Sequence, residues 1–288
     1  MIKLILFSIF FDKMTTVKIA LCQMNVIDDK EENIKKASSM ITGSVSEHAD
    51  LIVLPEMFNC PYSNDKFIEY CEEQTTSQTL TAISKLANEN NVYILAGSIP
   101  EKENDKLYNT SYFFDKTGDI IAKHRKMHLF DIDVKDKITF KESDVLTAGN
   151  EFTIADTEFG KIGIGICYDV RFPELARIMV ENEASILIYP GAFNMTTGPA
   201  HWELLFRSRA LDNQVYCIGV APALNKDANY HSYGHSIIAN PWGEIIAQAN
   251  EKESLIVSEI DLDEIKKVRE ELPLLKNKRK DLYEVVKK

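Results

Sequence analysis

Residues 49–58 read ADLIVLPEMF, and residues 184–193 read ASILIYPGAF. Each is a largely apolar run closed by proline, the pattern of a strand buried on both faces. The likeness spreads outward from these two runs. ANENNVYILAGS at 87–98 is matched by ALDNQVYCIGVA at 210–221, and TGDIIA at 117–122 by WGEIIA at 242–247. The chain therefore reads as two related halves. The repeat period is far too long for a solenoid, and no linker or low-complexity stretch separates the halves.

The first half predicts strands at 18–24, 51–54 and 92–99, helices at 30–45 and 80–90, and a hairpin of 108–115 with 119–126 around Lys116-Thr-Gly118. The second predicts strands at 161–166, 185–189 and 215–220 and helices at 173–181 and 202–212. Its hairpin pairs 235–240 with 244–248. Pro173 at the first turn of its helix fits the missing N–H there. Two such halves imply an α/β fold of two packed sheets covered by helices on both outer faces. Residues 15–288 read as that single domain, with 262–288 as a helical, then basic arm that is solvated or contacts another subunit.

The chain has 288 residues and a formal net charge of −11. The acidic balance excludes a general nucleic-acid binder, which carries a basic face. Five cysteines, widely spaced and with no CxxC pair, exclude a disulfide scaffold and a structural zinc site. They point to free thiols in a reducing, cytoplasmic setting. Residues 1–13 look like a short signal sequence, but the apolar run is too short to span a bilayer and ends in Asp12-Lys13 without a small-residue cleavage site. Residues 1–14 therefore read as a non-structural extension, and no membrane role is expected.

Cys167 closes KIGIGIC and precedes YDVRFPE. A strand that stops at a nucleophile before a helix presents it at a sharp turn and offers the next N–H, that of Tyr168, to an oxyanion. The segment alone equally allows a small buried hydrophobe. Glu56 follows a wholly apolar strand, where burial raises a carboxyl pKa and suits acid–base work; a turn or capping glutamate is the alternative. Lys126, in KHRKMHLFDID, and Glu142, in ITFKESDVLTAG, read by themselves as part of a solvated basic patch with Lys123 and Arg125, and as a loop glutamate. His124 and His128 have no partners at metal-ligand spacing.

Four motifs together change this reading. LPEMF, KHRKMHLFD, FKESDVLTAG and GICYDVRFPE occur in the order and approximate spacing of the nitrilase, or carbon–nitrogen hydrolase, superfamily, and the resemblance runs from about Val17 to the C-terminus. It implies an α-β-β-α sandwich and a Glu-Lys-Cys triad at Glu56, Lys126 and Cys167, with a further active-site glutamate at Glu142. EMFNCPYS, CYDVRFPELARI and GAFNMTTGPAHW resemble the omega-amidase branch most. That likeness implies a cysteine amidohydrolase acting on the terminal amide of short α-keto dicarboxylic monoamides, without metal or organic cofactor, as a homodimer. It also implies substrate contacts from Arg171, Phe193 and Thr197, unless Arg171 instead pairs with Asp169 or Glu174. Rival branches are amidases of deaminated glutathione and hydrolases of carbamoyl compounds or nitriles. A non-catalytic scaffold would have no need of all four polar residues. A cysteine protease would require a His–Asn pair, and none is apparent beside Cys167.

Overall fold

The computed structural model describes residues 15–288; the expected N-terminal extension lies outside them. The first half runs through β1 (Thr16–Gln23), α1 (Lys30–Ser46), β2 (Leu51–Val53), α2 (Asn64–Tyr70), α3 (Gln78–Asn90), β3 (Tyr93–Leu95), β4 (Ile99–Glu103), β5 (Lys106–Phe114) and β6 (Ile120–Arg125). A small hairpin, β7 (Asp131–Val134) and β8 (Ile138–Lys141), leads to the second half. That half comprises β9 (Thr153–Thr157), β10 (Gly160–Ile164), α4 (Pro173–Glu181), β11 (Ala184–Pro190), α5 (Gly198–Asn213), β12 (Tyr216–Val220), β13 (Ile237–Ala239) and β14 (Ile245–Gln248). β15 (Ser254–Asp261), α6 (Asp263–Glu271) and α7 (Leu274–Asn277) complete the chain.

Two sheets follow from the alternation of apolar side chains. β1, β2 and β3 are parallel neighbours in one sheet, and β10, β11 and β12 in the other. Val17, Ile19, Leu21, Leu51 and Val53 face Ile162, Ile164, Ile186, Ile188 and Ile218 across the interior. The alternate positions Ala20, Cys22 and Ile52 pack beneath α1 and α3, and Leu187, Tyr189 and Cys217 beneath α4 and α5. A strand has period two, so each of these strands must be apolar on both faces. The result is the α-β-β-α sandwich.

The internal repeat extends to backbone detail. α3 and α5 end on Asn91 (φ 52) and Gln214 (φ 51), and in each case the next N–H returns to a matched alanine carbonyl, Ala87 or Ala210, at 3.2 Å. The hairpin glycines Gly118 (φ 84) and Gly243 (φ 81) also correspond, and each hairpin carries a register shift. The halves are then joined by an element the periodicity did not reveal. β15 pairs antiparallel with all of β1, from Thr16↔Asp261 to Gln23↔Ser254, so the late chain completes the first sheet.

Three expectations need correction. The strand expected at 92–99 breaks at Gly97, because a Cβ there would lie 1.9 Å from the Pro55 carbonyl oxygen. Gly97 thus lets the chain pass close behind the loop that carries Glu56. Lys123 and Arg125 are not a solvated patch: both pair with Glu101, which is buried in β4. The arm at 262–288 is anchored at its start, since Ile265 and Val268 of α6 are buried and Gln214 donates to the Val268 and Leu272 carbonyls. Among the described residues no helix is long and apolar enough to cross a membrane.

Candidate active site

The carboxyl ends of β2 and β10 lie in facing sheets, and Glu56 and Cys167 stand just beyond them. Lys126 follows β6 directly. Its N–H donates to the Asn109 carbonyl at 2.8 Å and its own carbonyl accepts from Gly149, which fixes its position. Glu142 opens a one-turn 3-10 helix after β8. The structure brings these four residues together in one sealed group, with Glu56, Lys126 and Glu142 all 0% exposed. Lys126 Nζ donates to Glu56 Oε1 at 3.0 Å and to Glu142 Oε1 at 2.8 Å. Cys167 stands close enough to Glu56 for the carboxylate's charge to act directly on its thiol.

One ammonium between two carboxylates leaves the cluster short of positive charge, and buried ions demand further compensation. Neutral donors supply it. Glu56 accepts from Asn109 Nδ2 at 2.8 Å and from the Ala192 N–H at 2.7 Å. Glu142 accepts from the Tyr62 hydroxyl at 2.6 Å and from the Phe130 N–H at 2.7 Å. Burial pushes the Glu56 carboxyl up, with Lys126 opposing. Burial would depress Lys126, yet the charges of Glu142 and Glu56 outweigh it and hold the ammonium well above its ordinary value. Burial, and then the charge of Glu56, push the Cys167 thiol well above its ordinary value. These shifts favour the thiol form of Cys167 and the ammonium form of Lys126. Sulfur becomes nucleophilic only as its proton moves to Glu56.

Cys167 is held in the left-handed region at φ 47, which costs a non-glycine residue on the order of 1 kcal/mol or more. Local packing enforces this. Asp169, fully buried, accepts from the Ile166 N–H at 2.9 Å and so closes the turn around Cys167. The same carboxylate contacts His124 Nε2 at 3.0 Å and His128 Nδ1 at 2.7 Å. Burial alone would raise its pKa, but the bonds from His124 and His128 prevail and hold it well below the usual carboxylate range. Arg209 braces the far side by donating to the Val170 and Arg171 carbonyls. Gly191 leaves room for the nucleophile, since a Cβ there would sit 3.2 Å from the Cys167 Cα. Tyr168 lies in the first turn of the 3-10 segment Cys167–Arg171, where N–H groups have no preceding intrahelical acceptor.

Arg171 ends that 3-10 segment rather than starting α4. It pairs with neither Asp169 nor Glu174. Its guanidinium lies over the Phe193 ring at 4.6 Å and near Tyr168 at 5.5 Å, with Nη1 3.1 Å from His201 Nδ1. Burial without a carboxylate partner lowers its pKa. Thr197 is less directly engaged: it caps α5, and its hydroxyl donates to Asn194 at 3.3 Å, a local contact.

Sequence reading missed Tyr62, Asn109, Asp169 and the Ala192 N–H. A polar Asn109 inside the apolar strand LYNTSYFF was the one available signal, and Tyr62 stood in the quoted EMFNCPYS. The Asp169 cluster joins residues 41 and 45 positions apart, and no local pattern announces it.

A family model described as carbon-nitrogen hydrolase matches residues 18–270. The chain belongs to the carbon–nitrogen hydrolase family. It is accordingly an enzyme of carbon–nitrogen bond hydrolysis. The omega-amidase NIT2 of Bos taurus is 46% identical over 272 residues, covering 94% of this chain and 98% of that protein. The chloroplastic omega-amidase of Arabidopsis thaliana is 48% identical over 277 residues, covering 95% of this chain and 75% of its own. Among solved structures, Saccharomyces cerevisiae Nit3, described as a member of branch 10 of the nitrilase superfamily, superposes with TM-score 0.85 at 42% identity. That match covers 92% of this chain and 97% of Nit3.

Proposed function

We propose that this carbon–nitrogen hydrolase is an omega-amidase, cleaving the terminal amide of short α-keto dicarboxylic monoamides such as α-ketoglutaramate and α-ketosuccinamate. The observation that carries the substrate class is Arg171. A half-buried guanidinium beside the nucleophile, stacked on Phe193 and with no carboxylate partner among the described residues, suits the acid end of a substrate. The likeness to omega-amidases over nearly the whole chain supports the same choice.

The geometry supports the following reaction. As Cys167 sulfur attacks the amide carbon, its proton passes to Glu56. Lys126 and the Tyr168 N–H take up the oxyanion charge; losing one such donor costs roughly 10²–10³ in rate. The carbon–nitrogen bond breaks, Glu56 returns the proton to nitrogen, and ammonia leaves. The acyl group stays on sulfur as a thioester. Water then adds to the carbonyl and gives a proton to Glu56. The carbon–sulfur bond breaks, sulfur takes that proton back, and the carboxylic acid is released. Glu142 keeps Lys126 aimed at the oxyanion.

Arg171→Lys tests the substrate class. KM for α-ketoglutaramate should rise about tenfold, because an ammonium cannot hold a carboxylate through two parallel bonds. A neutral amide of similar length should be affected little. Equal losses on both would make Arg171 structural and leave the acid site elsewhere.

The pH profile follows from the same group. Protonated Glu56 cannot receive the thiol proton. Because its carboxyl is raised, kcat/KM should fall on acidification through a value above the ordinary 4.5. Cys167 and Lys126 are both raised, so no alkaline loss should appear below pH 9.0. A plateau that extends to acid well below 4.5 would contradict a buried Glu56 base.

A further inference from the structure

Beside the catalytic group lies a cavity of about 410 Å³ that these steps do not yet use. Glu56, Met57, Ala192, Tyr62 and Tyr230 line it, while Cys167, Arg171 and Phe193 do not. It thus approaches Glu56 from a side other than the one where Arg171 would hold the acyl chain. Its outer wall is the stretch 25–28, Asp65 and Lys66, and the loop between β12 and β13. The lining mixes apolar and polar groups. Asn25 Oδ1 and Ser232 Oγ are buried there without hydrogen-bond partners among the described residues, and Ser232 is 5% exposed. Lys66 and Asp28 form an ion pair at 2.8 Å in the same wall. A space of this size holding unpaired polar atoms suits small hydrogen-bonding molecules.

Tyr230 stands in this lining beside Glu56 and Tyr62. Its hydroxyl donates to the Ala192 carbonyl, next to the N–H that binds Glu56, and its ring lies 4.6 Å from Tyr62. We propose that the cavity is the route by which ammonia leaves Glu56 and the hydrolytic water reaches it, with Tyr230 as the gate. This rests on the thioester reading above. Once the acyl chain is tied to Cys167 and its carboxylate to Arg171, that side of the site is filled. Glu56 must nevertheless release one small molecule and admit another before the acyl chain departs. The cavity offers both a passage, and Asn25 Oδ1 and Ser232 Oγ can each bond ammonia or water in transit.

Ala228→Trp and Asn229→Trp place bulk in the outer loop, away from the catalytic group. Deacylation is read in a single turnover of α-ketoglutaramate by acid quenching and intact mass. It should slow at least about fivefold in both variants, as expected when a passage becomes limiting. The ratio kcat/KM, and the rate at which iodoacetate alkylates Cys167, should not change, while kcat and KM fall together as deacylation becomes limiting. Circular dichroism separates blockage from misfolding, and two independent positions guard against loss of either protein. Unchanged deacylation in both folded variants overturns the route. A lowered kcat/KM or slowed alkylation overturns it differently, by making the cavity the substrate's own entrance. Failure of the thioester itself would show in the unmodified enzyme, which would then form no hydroxamate when hydroxylamine is added during turnover.

Discussion

Cys167→Ala should lower ammonia release by at least about 100-fold, with the fold unchanged by circular dichroism. The thiol is small, and the turn that carries it is held by Asp169, His124 and His128 rather than by sulfur. Alanine accepts the same backbone with one atom fewer. What is lost is the sulfur that the proposed mechanism uses to bond the substrate carbon. The buried Cys22, Cys60 and Cys217 have no part in the catalytic group, and burial raises each of their thiols, so they are poor nucleophiles. Activity above about a hundredth of the parent would contradict the assignment of the nucleophile.

Lys126→Met should be severe in two respects. Turnover should fall by roughly 10²–10³ because an oxyanion donor disappears. Stability should fall by about 3–5 kcal/mol, because Glu56 and Glu142 remain buried without their cation. The loss should depend on pH with a definite sign. Burial already raises the Glu56 carboxyl, and removing Lys126 deletes the main opposing influence. A carboxyl whose folded pKa exceeds its unfolded value binds more protons in the folded state. Its protonated form therefore favours the fold at low pH, and that support is lost as pH rises through the folded pKa. Thermal unfolding of Lys126→Met should show a larger deficit against the parent at about pH 8 than at about pH 5. An equal deficit at both would mean that the two carboxylates are not held as charged groups around Lys126.

The two-half architecture was readable because central strands must be apolar on both faces, and LIVLP and ILIYP carry that requirement in consecutive residues. The two hairpins were readable from local sequence as well, through the turns that hold Gly118 and Gly243. Long-range pairing was not. β15 has three partly buried apolar positions, Leu255, Ile256 and Val257, and one buried one, Ile260, among polar neighbours, and its partner β1 lies more than two hundred residues earlier. The charged run around Lys126 shows the same limit. Lys123, His124, Arg125 and Lys126 are consecutive, yet each finds a different or distant acid: Glu101 for Lys123 and Arg125, Asp169 for His124, and Glu56 with Glu142 for Lys126. Strand alternation sends these side chains to opposite faces. Composition alone put Lys123, Arg125 and Lys126 in a solvated patch and left His124 an ordinary histidine; the motif resemblance singled out Lys126, and only the fold showed what the others do.

The central claim is that an amide is hydrolysed through a thioester on Cys167. Acid quenching during turnover of α-ketoglutaramate, followed by intact-mass and peptide mass spectrometry, tests it most directly. The account predicts an adduct equal to the substrate less ammonia, located on the peptide carrying Cys167 and absent from Cys167→Ala. Full turnover with no such adduct even when deacylation is slowed, or an adduct on any other residue, would contradict it.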